Sequence, residues 1–191
     1  MQIKYLLIVL FSTIMMIASA QQKGITFESS VQAGLLEGQQ GSAFQFGFTA
    51  GIKQKTWSTA IGTGLDYYQV RSIPLYLNVQ KRLFDRQQTP FAYVSGGYNF
   101  PWSSQPQIDI WRSWLPQEQE KKGGLYYGAG IGYQLPALKK AALFFAAGYS
   151  YKEYMEISKS KMCPFGGPCV EQVEKLTYRF RRLSVTTGLR F

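Results

Sequence analysis

Residues 183–191 alternate between apolar and small or polar side chains, and the last residue of the chain is an aromatic. Leu183, Val185, Leu189 and Phe191 fall on one face of this segment. A period of two is typical of a β-strand whose two faces meet different surroundings. The end of the chain therefore predicts a strand with one apolar face, and this restricts the fold to one that covers that face or places it in lipid.

The same alternation recurs along the chain and predicts about eight strands. It is clearest over residues 42–53, where Phe44, Phe46 and Phe48 alternate with Gln45 and Gly47. Residues 90–100 carry aromatics on both faces, so the phase of that strand is undecided and a bulge is one interpretation. The predicted strands cover residues 26–37, 42–53, 57–68, 73–83, 90–100, 125–135, 143–154 and a last strand ending at 191.

Strands of this length suit an antiparallel, up-and-down transmembrane β-barrel. The chain has 19 glycines, 16% aromatic residues and a mean hydropathy of −0.15. Such values fit a sheet in which only alternate residues meet lipid. No apolar stretch after Ala20 approaches the ~20 residues that a transmembrane helix needs. We predict an all-β barrel domain over residues 21–191.

The N-terminus has the features of a secretory signal peptide over residues 1–20. Lys4 precedes an apolar run over residues 5–17, and Ala18-Ser19-Ala20 forms a small-x-small cleavage motif. We predict that the mature chain begins at Gln21 and is exported to the outer membrane of a Gram-negative bacterium; an uncleaved anchor helix is the alternative.

The inward faces of the predicted barrel carry small residues and scattered charges. The lumen of an eight-stranded barrel is just wide enough for side chains. We therefore predict a packed lumen with a buried charge network, and a narrow water or ion pathway is the alternative. Gly128, Gly130 and Gly132 are interpreted as room for large side chains opposite, since they lack the residues of a nucleotide-binding loop. The predicted network consists of Glu28, Lys53, Asp66, Arg82, Lys152 and Arg190.

The connections alternate in length. Short turns are predicted over residues 53–58, 85–89 and 136–141, and long loops over 101–124 and 157–177, on the opposite side. The second long loop contains Cys163 and Cys169, which we expect to form a disulfide because an exported chain meets an oxidising compartment. A redox-active pair is the alternative.

Two features of the long loops are candidate partner-binding sites. Trp111 and Trp114 form an apolar patch in the first loop, which marks either a binding surface or a loop that caps the barrel. Basic residues surround the second loop, and we expect them to meet lipopolysaccharide phosphates or simply to face solvent; the signal peptide argues against nucleic acid. These basic residues are Lys152, Lys159, Lys161, Lys175, Arg179, Arg181 and Arg182.

Several stretches resemble the small outer-membrane β-barrel-domain proteins of Gram-negative bacteria. They are residues 71–77 (RSIPLYL), 97–101 (GYNFP), 123–133 (GGLYYGAGIGY) and 147–151 (AGYSY). The resemblance implies a monomeric eight-stranded barrel in outer-membrane lipid. It also implies insertion by the barrel-assembly machinery, with Leu189 and Phe191 as the terminal insertion signal. It supplies no catalytic residues.

These observations favour a structural or surface-interaction role carried by the extracellular loops. One alternative is a small passive channel. Another is a soluble periplasmic barrel that binds a hydrophobic ligand in the manner of lipocalins, with Phe44, Phe46, Phe48 and Phe145 lining its pocket. The chain has no histidine, so most triad hydrolysis and zinc chemistry is excluded. We predict no enzymatic activity, cofactor or metal site.

Overall fold

The computed structural model describes residues 24–102, 118–138, 141–162 and 170–191. Eight antiparallel strands form one closed barrel in sequence order, which confirms the predicted fold class. No helix in the described parts of the chain has the length and apolarity to cross a bilayer. The strands are β1 (Ile25–Gly38), β2 (Gly41–Gln54), β3 (Trp57–Asp66), β4 (Ser72–Arg82), β5 (Thr89–Pro101), β6 (Glu118–Leu138), β7 (Ala141–Met162) and β8 (Val170–Arg190).

The C-terminal strand closes the barrel by pairing with β1. Its register runs from Ser30 opposite Arg190 to Gly38 opposite Arg182. Just beyond, Ser29 and Phe191 exchange two backbone hydrogen bonds of 3.1 and 2.8 Å. Both ends of the described barrel therefore lie at one rim, here called the termini end. The paired ends of β7 and β8, Met162 and Val170, lie on the side of the opposite rim, here called the hairpin end.

The outer surface is apolar and the lumen is polar. Phe44, Phe46 and Phe48 are 66%, 55% and 47% exposed, whereas Asp66 and Arg82 are 3% and 2% exposed. Exposed large apolar side chains occur on all eight strands. The lipocalin-like alternative is therefore wrong, because it requires the phenylalanines to face inward.

Aromatic side chains border the apolar surface at both rims. At the hairpin end Tyr127 and Tyr151 stack with ring centroids 4.6 Å apart, and Trp102 is exposed. At the termini end the Lys81 ammonium lies 4.8 Å from the centroid of the Trp57 ring. Such girdles mark the two interfaces of a transmembrane barrel.

Glycines on the lumen face make room for inward aromatics, as predicted. A Cβ atom added to Gly132 would clash with the Phe91 ring, and one added to Gly62 would clash with the Tyr76 ring. This packing sets the phase of β5, which turns Phe91 inward. The register of β5 with both neighbours is regular, so the bulge suggested there is wrong. An irregularity lies instead in β6, between Gly123 and Tyr126.

The predicted long loops are partly strand. Because β6 begins at Glu118, β7 ends at Met162 and β8 begins at Val170, much of residues 101–124 and 157–177 continues the sheet. Lysine and glutamate are frequent in this segment, and its sequence therefore resembles a loop. We call residues 118–123, 153–162 and 170–181 the extension; it is a three-stranded sheet beyond the barrel wall.

Candidate functional site in the lumen and the extension

One buried carboxylate balances two buried cations at the hairpin end of the lumen. Asp66 Oδ2 lies 2.5 Å from Arg182 Nη1, and Asp66 Oδ1 lies 3.2 Å from Lys152 Nζ. The carboxylate also accepts a 2.9 Å hydrogen bond from the Tyr68 N–H. All three charged side chains are at most 3% exposed. These residues form the hairpin-end cluster.

Lys152 also holds the β3–β4 connection across the lumen. Its ammonium donates hydrogen bonds to the carbonyls of Tyr68 and Val70 at 3.0 and 2.9 Å, and to Ser72 Oγ at 3.0 Å. With Asp66, this ammonium has four oxygen partners, which compensates for its complete burial. The connection is thereby drawn inward over the mouth of the barrel.

An apolar cap covers the hairpin-end cluster. Leu36, Tyr68, Tyr154 and Phe180 form one buried group, each at most 8% exposed. The Tyr68 and Phe180 rings meet edge to face at 5.7 Å. Burial raises the pKa of the Tyr154 phenol, and the Glu156 carboxylate adds to the shift. The cap therefore separates the buried charges from solvent at this rim.

A second charged group, the termini-end cluster, lies at the opposite rim. Glu28 pairs with Arg82, and its Oε1 lies 3.4 Å from Arg190 Nε. Arg190 also donates hydrogen bonds to the side-chain oxygens of Gln134 and Gln80, at 2.5 and 2.8 Å. Glu28 is 14% exposed, so this cluster is less sealed than the first.

The predicted charge network is therefore two clusters rather than one. Lys53 lies at the rim of the termini-end cluster, with its side chain 30% exposed. The predicted placement of Lys152 and Arg182 among the basic residues around the last loop is wrong. Both point into the lumen because they share the parity of Ser150 and Ser184, which are buried there.

A small polar cavity separates the two clusters. Its volume is ≈ 60 Å³, which is room for about four water molecules. Its walls combine hydroxyl, amide and phenol groups, and its lining includes Gln32, Thr49, Tyr76, Asn78, Tyr126 and Ser184. The cavity is therefore polar, and Glu28 and Arg190 of the termini-end cluster belong to its lining.

The extension brings three of the remaining predicted cations to one face of its sheet. Lys159 on β7 pairs with Val173, whereas Lys175 and Arg179 on β8 pair with Ile157 and Glu153. The side chain of Lys161 lies outside the described part of the chain. Acidic residues share this face, so it is not strongly basic; Arg179 Nε lies 3.6 Å from Glu153 Oε1.

Four other predicted site residues, Trp111, Trp114, Cys163 and Cys169, lie outside the described residues. The predicted signal peptide, residues 1–20, lies outside them too.

The described residues contain no cluster of three or more histidine, cysteine, aspartate or glutamate side chains that could hold a metal. The two residues of the predicted insertion signal lie on the outer face of the closing strand. Leu189 is 39% exposed and Phe191 is 56% exposed.

A closed eight-stranded barrel with an apolar outer belt and a charged lumen has the fold of bacterial outer-membrane barrels, and solved structures confirm this class. The chain is similar to a major outer membrane protein from Thermus thermophilus, with a TM-score of 0.52, 16% identity and coverage of 87% of this chain and 100% of that one. It is also similar to the outer membrane protein OprG from Pseudomonas aeruginosa, with a TM-score of 0.54, 10% identity and coverage of 88% and 96%. No family model and no curated protein matches the sequence.

Proposed function

We propose that this protein is an integral barrel of the bacterial outer membrane whose role is carried by the extension and the neighbouring loops. The observation that carries the proposal is the apolar belt. Burying this belt in lipid satisfies side chains that would otherwise be exposed to water. The termini end then faces the periplasm and the extension faces the exterior. Export, insertion through Leu189 and Phe191, and a monomeric state belong to the same proposal.

The packing of the lumen supports a structural barrel over a passive channel. Lys152 and Arg182 are 0% and 1% exposed, and the apolar cap lies between them and solvent. A permeating ion would have to displace the cap and then pass two buried cations. Because the cost of disrupting buried, paired charges is high, we expect the resting barrel to be closed.

The extension has the features of an interaction surface. β6 pairs with β5 only as far as Gly124, and β8 pairs with β1 only as far as Arg182, so each outer strand of the extension has an edge with no paired strand among the described residues. Free edges supply backbone donors and acceptors to a partner strand. Val173 and Leu176 nearby are 49% and 42% exposed. An extended protein segment is the kind of partner that fits such an edge.

The border between the barrel wall and the extension suits lipopolysaccharide phosphates. Arg71, Arg179 and Arg181 are exposed at this level, and the Arg71 guanidinium lies 5.6 Å from the centroid of the Tyr67 ring. Guanidinium groups recognise phosphate with paired hydrogen bonds. We propose that these arginines anchor the barrel in the outer leaflet.

Two measurements test the membrane barrel and its closed lumen. The purified protein should migrate faster on SDS gels without boiling, and it should fractionate with outer membranes. In planar bilayers it should give no steady single-channel conductance. A soluble periplasmic protein without a mobility shift would refute the membrane barrel, whereas a steady conductance would refute only the closed lumen.

A further measurement tests the lipid contacts. We expect lipopolysaccharide to raise the thermal midpoint of the reconstituted barrel, and the triple variant R71Q/R179Q/R181Q to lose most of this rise. Arg86→Gln is the matched control, because Arg86 is exposed in the β4–β5 turn at the termini end. Equal stabilisation of both variants would refute the proposed contacts.

A further inference from the structure

A cavity opens into the termini end of the barrel and is lined by cations. Its volume is ≈ 220 Å³. Its lining includes Glu28, Lys53, Arg82, Gln134, Arg190 and Phe191. It adjoins the polar cavity at mid-lumen, with which it shares Glu28 and Arg190. Neither the fold class nor the proposed surface role assigns it a purpose.

The one carboxylate inside this cavity is already fully engaged. Glu28 binds Arg82, accepts a 3.0 Å hydrogen bond from Ser58 Oγ and lies 3.4 Å from Arg190 Nε. Arg190 directs its other described hydrogen bonds to neutral glutamine oxygens. Among the described residues of the lining, three cations therefore share one side-chain carboxylate.

Two of these cations retain donor capacity. Arg82 is 2% exposed, and its Nε has no hydrogen-bond partner among the described residues. The Lys53 ammonium lies 3.9 Å from Asp85 Oδ1, which is longer than a hydrogen bond, and the Asp85 side chain is 67% exposed. A carboxylate in that position is screened by water and salt, so it balances Lys53 only weakly.

The terminal carboxylate of Phe191 is a second acid in the lining of this cavity. One backbone oxygen of Phe191 accepts the 3.1 Å hydrogen bond from the Ser29 N–H that closes the barrel. The carboxylate keeps its negative charge while it takes part in strand pairing. The three cations of the described lining therefore face two carboxylates, and the lining has a net positive charge.

We propose that this cavity binds a phosphate group, with Lys53 and Arg82 as its main contacts and Arg190 supporting the positive field. A guanidinium and an ammonium on one wall match the several acceptor oxygens of phosphate. The volume admits a phosphate together with the atoms of an ester or with bound water. Two sources share this chemistry: soluble phosphate compounds of the periplasm, and headgroups of phospholipid in the inner leaflet of the outer membrane.

Isothermal titration of the detergent-solubilised barrel with inorganic phosphate, at ionic strength matched with chloride, tests the site. We expect saturable binding that Lys53→Gln weakens by about tenfold or more. Asp85→Asn should tighten binding, because it removes the competing carboxylate. Lys55→Gln is the matched control, since Lys55 is exposed in the neighbouring turn and does not line the cavity. Gel mobility without boiling confirms that each variant is folded.

Nanodiscs distinguish the two sources. If phosphatidylglycerol nanodiscs suppress phosphate binding in the wild-type barrel, relative to neutral-lipid discs, the headgroup is the ligand. If phosphate binds equally in both discs, a soluble phosphate compound is the ligand. Two outcomes would overturn the proposal: no phosphate binding in micelles or neutral-lipid discs, or equal binding by the Lys53→Gln and Lys55→Gln variants. Neither outcome would affect the evidence for a membrane barrel.

Discussion

The two ends of the lumen use similar chemistry under different conditions. The hairpin-end cluster places one aspartate between a lysine and an arginine, all at most 3% exposed, beneath an apolar cap. The termini-end cluster places one glutamate between two arginines, with the glutamate 14% exposed beside an open cavity. One carboxylate with two cations can therefore stabilise the fold at one end and form a binding surface at the other. The difference lies in whether water reaches the charged groups.

Asp66→Asn should have the largest effect, because it leaves two buried cations without their carboxylate. We expect a loss of about 3–5 kcal/mol in the free energy of unfolding. Urea unfolding of the barrel in lipid vesicles, followed by tryptophan fluorescence, measures this loss. A loss no larger than that of Glu28→Gln would contradict the difference between the two ends.

Leu36→Ala tests the cap that seals the hairpin end. Leu36 is completely buried, and its truncation leaves a cavity above the Asp66 cluster. We expect destabilisation of about 3 kcal/mol, measured by the same unfolding assay. Leu35→Ala is the matched control, since Leu35 is 48% exposed on the outer face; equal losses in both variants would show that the cap adds no packing energy.

Glu28→Gln should cost less than Asp66→Asn, because water reaches the cluster and the amide keeps one acceptor. We expect a loss of about 1–2 kcal/mol. The same variant should strengthen phosphate binding in the titration, since it removes the internal negative charge. A variant that is destabilised but binds phosphate more weakly than wild type would contradict the proposed role of this cavity.

Arg179→Gln should have the smallest effect. Its ion pair with Glu153 is 3.6 Å long and its side chain is 69% exposed, so solvent screens most of the attraction. We expect a change below about 0.5 kcal/mol in the free energy of unfolding. A larger loss in vesicles free of lipopolysaccharide would assign this arginine an unforeseen structural role.

The alternation of side chains predicted the barrel wall well. The Phe44, Phe46 and Phe48 series identified an outward face, and the glycines of β6 correctly indicated room for aromatics. The alternation indicates which side chains point outward, because a strand in a membrane barrel meets lipid on one side and the lumen on the other. The alternation along β8 also indicates that Arg182 points inward. The other basic residues near Arg182 suggested a loop instead.

The extension and the division of the charges could not be predicted in the same way. Residues 157–162 and 170–177 place charged residues among apolar ones such as Ile157, Val173 and Leu176, which do not form one regular apolar face, so the alternation is a weak signal. The separation of Glu28 from Asp66 depends on where each residue lies along the barrel axis. That height follows from the tilt and register of eight strands, which the local pattern of one strand does not contain.

The β7–β8 pairing runs without a register shift from Ala142 opposite Arg190 to Met162 opposite Val170. A one-residue deletion within either strand would exchange the two faces on one side of the deletion, turning lipid-facing side chains toward the lumen or the reverse. Within the barrel wall, these two strands can therefore readily change length only in steps of two residues, whereas the extension is free of this restriction. Homologous chains should differ by even numbers within the wall, except where a bulge absorbs the odd residue.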